Sequence, residues 1–190
     1  MKKQSVCFLV VMMALMLGCK KDNATGSRNQ QWERFHGKYA IIRATSDIAV
    51  DVNLDGNKST NLVEEIPYLK NTFLELLIGK NGDYNGYAQF WANQSLSSEH
   101  KPAGYDPSVL VMYLSQPIVA SFKFNDDLTA LSFSQEPSKD PQPEVFSLPE
   151  SVTVGKNDEI TVKMKRTVYT RFGWVPISIV VTYARYTKVT

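Results

Sequence analysis

From Gly37 onward the apolar residues recur mainly at every second position, and a chain patterned this way forms half-buried β-strands. Ile160, Val162 and Met164 alternate with Thr161, Lys163 and Lys165. Ile177, Ile179, Val181 and Tyr183 alternate with Ser178, Thr182 and Ala184, with Val180 interrupting the polar side. Ile118, Ala120, Phe122 and Phe124 take one face of another strand, with Ser121, Lys123 and Asn125 on the other. Lys38 to Thr45, Thr72 to Gly79, Gly86 to Asn93, Val109 to Ser115, Leu128 to Ser134 and Val145 to Val154 complete a set of about nine predicted strands.

The connections point to neighbouring strands pairing in sequence. Gly79-Lys80-Asn81-Gly82-Asp83, Asn125-Asp126-Asp127 and Arg171-Phe172-Gly173-Trp174 carry the Gly, Asn and Asp that tight turns require. Gln135 to Glu144, with Pro137, Pro141 and Pro143, reads as a long surface loop. Helix is scarce. Asn29 to His36 predicts two turns with Trp32 and Phe35 on one side, and Leu62, Ile66 and Leu69 are spaced for a short helix strained by Pro67. An antiparallel meander buries one face and removes both its edges by closing into an up-and-down barrel. A two-sheet β-sandwich is the alternative. At 190 residues, 43% hydrophobic and 21% charged, the chain has ordinary globular composition and predicts a single all-β domain over 32–190.

The one long apolar run lies before this domain. Met1-Lys2-Lys3 is a basic start, Val6 to Leu17 is apolar, and Leu15-Met16-Leu17-Gly18-Cys19 places a small residue directly before cysteine. At 1.5 Å per residue that run makes a helix of ~18 Å, too short for a hydrocarbon core of ~30 Å. The pattern resembles a bacterial lipoprotein signal, which implies a signal peptide over 1–18, cleavage before Cys19, and lipid on the Cys19 sulfur and new amine. Residues 19–31 then form the lipidated cysteine and a polar, flexible tether. The expected location is the cell envelope, anchored by lipid in the outer membrane. Lys20-Lys21-Asp22 mixes both charges and does not choose between its periplasmic and surface faces.

Removing Lys2 and Lys3 with the signal leaves as many basic as acidic residues, so a nucleic-acid partner has no electrostatic support. Cys7 leaves too, which excludes an internal disulfide, a redox pair and a cysteine nucleophile from the folded domain.

Trp32-Glu33-Arg34-Phe35-His36-Gly37-Lys38-Tyr39, followed by a strand, resembles the start of lipocalin-like domains, where a short helix or turn leads into Gly-x-Trp and closes the barrel base. Tyr39 stands where that pattern has tryptophan. Together with the Asp-x-Asn-x-Asp-Gly-x-x-Ser-Thr segment from Asp51, the chain is similar to a group of small lipocalin-like lipoproteins of Gram-negative bacteria. That resemblance implies a barrel and no particular activity.

The same segment is the one constellation with metal chemistry. Asp51, Asn53 and Asp55 set oxygen side chains at positions one, three and five, with Gly56 at six, as in the first half of an EF-hand loop. The Asn57 carbonyl and Ser59 follow at seven and nine. Position twelve is Leu62 in place of glutamate, so Glu64, Glu65 or Asn61 must close the site. Hard oxygen donors select Ca2+ over zinc or iron, and a metal-free polar turn is the competing account.

Catalytic patterns are missing. His36 and His100 are far apart and expected to face solvent, no Gly-x-Ser-x-Gly occurs, and the adjacent pairs Glu64-Glu65 and Asp126-Asp127 read as surface charge. Phe90-Trp91 puts one ring on each face of a strand, and Phe172 and Trp174 set two rings at a hairpin tip as a contact surface. The expected function is a non-enzymatic, membrane-anchored binding module for a small apolar or amphipathic ligand. The alternative is an accessory interaction protein that meets a protein or glycan through its loops, with no internal ligand.

Overall fold

The computed structural model describes residues 23–80, 84–97, 102–134 and 147–190. The signal segment with Cys19, the middle of the Gly79 to Asp83 turn, His100 and the proline-rich loop lie outside the described residues. In chain order the elements are α1 (Asn23–Phe35), β1 (Gly37–Val50), β2 (Ser59–Asn61), α2 (Leu62–Glu65), a 3₁₀ turn (Leu69–Asn71), β3 (Phe73–Ile78), β4 (Asn85–Leu96), β5 (Val111–Phe124), β6 (Ala130–Ser134), β7 (Ser151–Val154), β8 (Ile160–Thr170) and β9 (Gly173–Thr187).

Successive strands from β3 to β9 pair antiparallel, β1 joins β3, and β9 returns to β1 from Lys38↔Thr187 to Ser46↔Ile179. That last pairing closes a barrel and excludes the sandwich, whose two sheets would each keep free edges. Eight strands form the wall. β2 is an extra strand on the upper half of β1, next to where β3 pairs with the lower half.

The expected alternation sets the wall's inner face. Ile160, Val162 and Met164, Ile177, Ile179, Val181 and Tyr183, and Ile118 and Phe122 are all buried. The two strands expected at Val109 to Ser115 and Ile118 to Phe124 are one strand, β5, running through Pro117 opposite Phe90. Its alternation changes face midway. Ile118 and Phe122 point inward in the lower half, whereas in the upper half the Tyr113 hydroxyl reaches across the loop end to donate to the Val52 carbonyl at 2.7 Å.

Helix α1 closes the base. It begins at Asn23, so nine residues of the expected tether are helical. Phe35 is fully buried, its ring 4.7 Å from Phe124, and Tyr39 donates its hydroxyl to the Phe35 carbonyl at 2.6 Å. Tyr39 thus packs into the base and also satisfies a carbonyl at the helix end. Arg34 Nη2 pairs with Asp158 in the β7–β8 turn at 2.7 Å. His36 is wired in as well: its Nδ1 accepts the Ile78 N–H at 3.0 Å and its ring stacks on Trp32.

Gly37 joins helix to barrel with φ of +136°, and a Cβ there would lie 2.1 Å from the Thr187 carbonyl oxygen. Neither the backbone angle nor the space admits a side chain. Gly37→Ala is expected to cost on the order of 3 kcal/mol, read as a lowered denaturation midpoint with the β-rich spectrum retained. A midpoint equal to that of the parent chain would contradict this account of the base.

Candidate functional site at the loop end

The interior was the first place a ligand was expected. At mid-height it is occupied by the chain's own polar side chains. Gln89 of β4 accepts the Tyr87 hydroxyl at 2.8 Å and donates to the Tyr183 hydroxyl at 2.9 Å and toward Met164 Sδ at 3.7 Å. Tyr87, Gln89 and Tyr183 have no accessible surface, so no void large enough for a water molecule touches them. Burial pushes both tyrosine hydroxyls far up, which keeps them neutral donors.

At the end away from α1, three connections meet: the loop between β1 and β2, the loop between β4 and β5, and the β8–β9 turn. Gln94 of β4 holds the Tyr169 backbone on both sides, donating to its carbonyl at 2.9 Å and accepting its N–H at 2.7 Å. The same amide nitrogen reaches the Val52 carbonyl at 3.4 Å. The Tyr169 hydroxyl accepts the Asp106 N–H at 2.7 Å and donates to the Gly104 carbonyl at 3.2 Å. One glutamine and one tyrosine therefore tie the three connections together.

The Asp51 loop lies against the β8–β9 tip. Asp51 is buried, its Oδ2 accepts the Gly56 N–H at 3.0 Å, and its Oδ1 has no partner. Asn53 Oδ1 accepts the Asp55 N–H at 3.0 Å and Asp55 Oδ1 accepts the Asn57 N–H at 2.7 Å, so each polar residue turns the backbone two positions on. Ser59 Oγ accepts the Asn61 N–H, and Asn61 Oδ1 caps α2 at the Val63 N–H. Arg171 reaches in from the β8–β9 turn, its Nε 3.7 Å from Asp51 Oδ2 and its Nη2 donating to the Leu54 carbonyl.

Glu65 corrects the expectation that Glu64-Glu65 is surface charge. It is buried, and its Oε2 accepts the Val52 N–H at 3.0 Å; Glu64 stays at the exposed side, where its carbonyl receives Asn53 Nδ2 at 3.4 Å. Burial first, then the charges of Asp51 and Asp55, hold the Glu65 carboxyl above its usual range. A hard cation fits one feature of this loop, the unpartnered Asp51 Oδ1. Elsewhere it does not: Glu65 is spent on a backbone N–H, and Leu62 is in the core. Among the described residues no three Asp, Glu, His or Cys side chains converge into a metal-holding group.

Of the two rings expected at the hairpin tip, one is presented and one is withdrawn. Phe172 is 74% exposed, with Lys58 Nζ 4.0 Å above its ring. Its N–H donates to Thr170 Oγ1 at 3.1 Å, and that hydroxyl donates to the Gly173 carbonyl at 3.0 Å. Trp174 turns back on the protein, its indole N–H donating to the Pro102 carbonyl at 3.0 Å and its ring 5.2 Å from Tyr169. A half-buried indole seeks an acceptor, and the β4–β5 loop supplies it. Phe90 and Trp91 divide as expected, Trp91 inward and Phe90 against Phe73.

Comparison with known proteins finds no matching family model, no matching curated protein and no matching solved structure. The closed barrel is consistent with a lipocalin-like fold and compatible with a binding module.

The raised Glu65 pKa has a signed consequence. The folded chain holds this proton more tightly than the unfolded chain does. The group's contribution is therefore fully present below the ordinary carboxylate range and is lost as pH rises through the elevated value. Glu65→Gln keeps an acceptor for the Val52 N–H and is expected to flatten that part of the profile of urea midpoint against pH. Superimposable profiles for the two chains would contradict the assignment.

Proposed function

We propose that the protein is a non-enzymatic, lipid-anchored interaction module of the bacterial cell envelope, which holds a partner protein at the loop end of a barrel filled by its own side chains. The observation that carries the reading is the contrast between Tyr87, Gln89 and Tyr183, which leave no space around them, and Phe172, an aromatic ring offered to solvent on a braced turn. Exposing a large apolar ring forgoes about 1.5–3 kcal/mol of burial, and a partner with an apolar pocket recovers it. Bracing by Arg171, Thr170 and Lys58 supports the same reading, because a pre-ordered tip loses little freedom on binding. The Gly18-Cys19 junction supports the anchor.

The test places a photo-crosslinking phenylalanine at position 172 or, as control, at Val119 on the exposed wall of β5, in the full chain in its native membrane. A discrete crosslinked protein from position 172 alone is expected, and Phe172→Ser should lose it while shifting stability by no more than about 0.5 kcal/mol. Equal labelling from both positions, or adducts to glycan in place of protein, would contradict the proposal. Cys19→Ser is expected to release the chain from the membrane fraction; retention with lipid attached to another residue would contradict the anchor.

Calcium belongs to this reading as a competitor of Arg171, and the unpartnered Asp51 Oδ1 is what favours it. Arg171→Ala is expected to acquire a melting temperature that rises with millimolar calcium, and adding Asp51→Asn should abolish the rise. No calcium response in Arg171→Ala would remove the metal from the account.

A further inference from the structure

The ladder between β1 and β3 ends on a histidine. The two strands pair from Ala40↔Phe73 to Gly37↔Leu76, and the same register carried two residues further sets Ile78 opposite Phe35. Phe35 belongs to α1, and its carbonyl is taken by the Tyr39 hydroxyl. The Ile78 N–H turns instead to the His36 side chain, where Nδ1 accepts it at 3.0 Å. An imidazole thus supplies the last rung between β1 and β3. A backbone N–H withdrawn from water needs such an acceptor, and a proton can take this one away. A ring nitrogen that accepts carries no hydrogen, so the neutral ring holds its hydrogen on Nε2.

The surroundings of the ring join four elements. The His36 N–H bonds to the Trp32 carbonyl at 3.1 Å, the ring stacks on Trp32 with centroids 5.4 Å apart, and Lys80 Nζ lies 4.3 Å from the indole centroid. Arg185 of β9 donates from Nη1 to the Glu33 carbonyl at 3.1 Å and to the His36 carbonyl at 3.3 Å, so a cation already meets the carbonyl end of α1. Among the described residues the charged groups that face His36 are Glu75 of β3, Lys80 beyond it and Arg185. Glu75 has Lys38 of β1 at 3.9 Å, and Glu33 of α1 is paired with Lys188 at 2.8 Å. A further positive charge would therefore enter beside two cations and a carboxylate that has a cation of its own. Burial is the main cause that holds the imidazole below its ordinary range; Glu75 pulls it up, and Lys80 and Arg185 push it down.

We propose that His36 is a proton-operated latch of the barrel base: neutral, it fastens the β3–β4 corner to the junction of α1 and β1, and protonated it lets that corner go. The proton enters on Nδ1, where it meets the Ile78 N–H, and two donors cannot bond to each other. The latched state holds this proton less tightly than the open state. The latch therefore contributes in full above about pH 6.5, the ordinary imidazole value, and its contribution is lost as pH falls through the lower value of the latched state. The sign is opposite to that of Glu65. The proposal rests on the base alone, so it stands apart from the Cys19 anchor and the Phe172 tip.

The experiment follows amide hydrogen exchange by NMR in the full chain in detergent, from about pH 7.5 to about pH 4.5, corrected for the intrinsic pH dependence of exchange. Protection at Ile78 is expected to fall at least about fivefold on acidification while amides of the β8–β9 ladder keep theirs. His36→Asn sets Oδ1 near the place of Nδ1 and does not titrate, and His36→Phe has no acceptor. Ile78 is expected to stay protected at every pH in the first and to exchange freely at every pH in the second. Protection at Ile78 that does not change with pH in the parent chain, or an acid-dependent loss that persists in either variant, overturns the proposal. If neither variant folds, the nitrogen resonance of His36 Nδ1 in the parent chain decides: protonation of Nδ1 at the pH where Ile78 loses protection supports the latch, and an Nδ1 that already carries a proton at neutral pH, or gains one with Ile78 still protected, overturns it.

Discussion

The ladder between β1 and β9 is the contact on which the rest of the molecule depends. Without it the meander would be an open sheet with two free edges and one apolar face to hide. With it, eight strands enclose an interior just wide enough for side chains, and the residues of one face become a core. Closure at the base requires Gly37, because the chain passes from α1 into β1 under the Thr187 carbonyl with no room for a Cβ. It also fixes what must fill the middle. Tyr87, Gln89 and Tyr183 meet there in a polar network that satisfies itself, which a low-dielectric interior demands of any polar group it contains.

At the loop end, Gln94 of β4 and Tyr169 of β8 join strands that are not neighbours in the sheet and reach the Val52 and Gly104–Asp106 backbones from them. The Asp51 loop, the β4–β5 loop and the β8–β9 turn consequently behave as one surface. Arg171, the residue before Phe172, stands 3.7 Å from the buried Asp51 carboxylate and donates to the Leu54 carbonyl, which sets the Asp51 loop and the β8–β9 turn side by side.

Much of this was legible in the chain, for identifiable reasons. Inward-facing positions repeat with the period of a strand, so the wall and its closure followed from patterning, and Leu62, Ile66 and Leu69 came out buried as spaced. β5 read as two strands because its packed face changes between Tyr113 and Ile118, which breaks the alternation without breaking the ladder. β2 is too short to carry a pattern. The loop-end residues were harder. Trp174 and Phe172 are equivalent by spacing, and contacts with the distant Pro102 carbonyl and the Tyr169 ring separate them. Glu65 resembles its neighbour until the Val52 N–H, far away in sequence, claims it. Arg166 was legible in direction but not in partners: it continues the face of Ile160, Val162 and Met164 on β8, opposite Lys163 and Lys165, whereas its contact with Ser147 is set by a segment far from it in sequence.

The claim most exposed to a single measurement is that the barrel is filled by its own side chains at the level of Tyr87, Gln89 and Tyr183. Xenon enters apolar cavities and is visible in crystals pressurised with the gas. The account predicts no xenon inside the wall at that level. A xenon atom in contact with Tyr87 or Tyr183 would show a cavity there and return the ligand to the interior of the barrel.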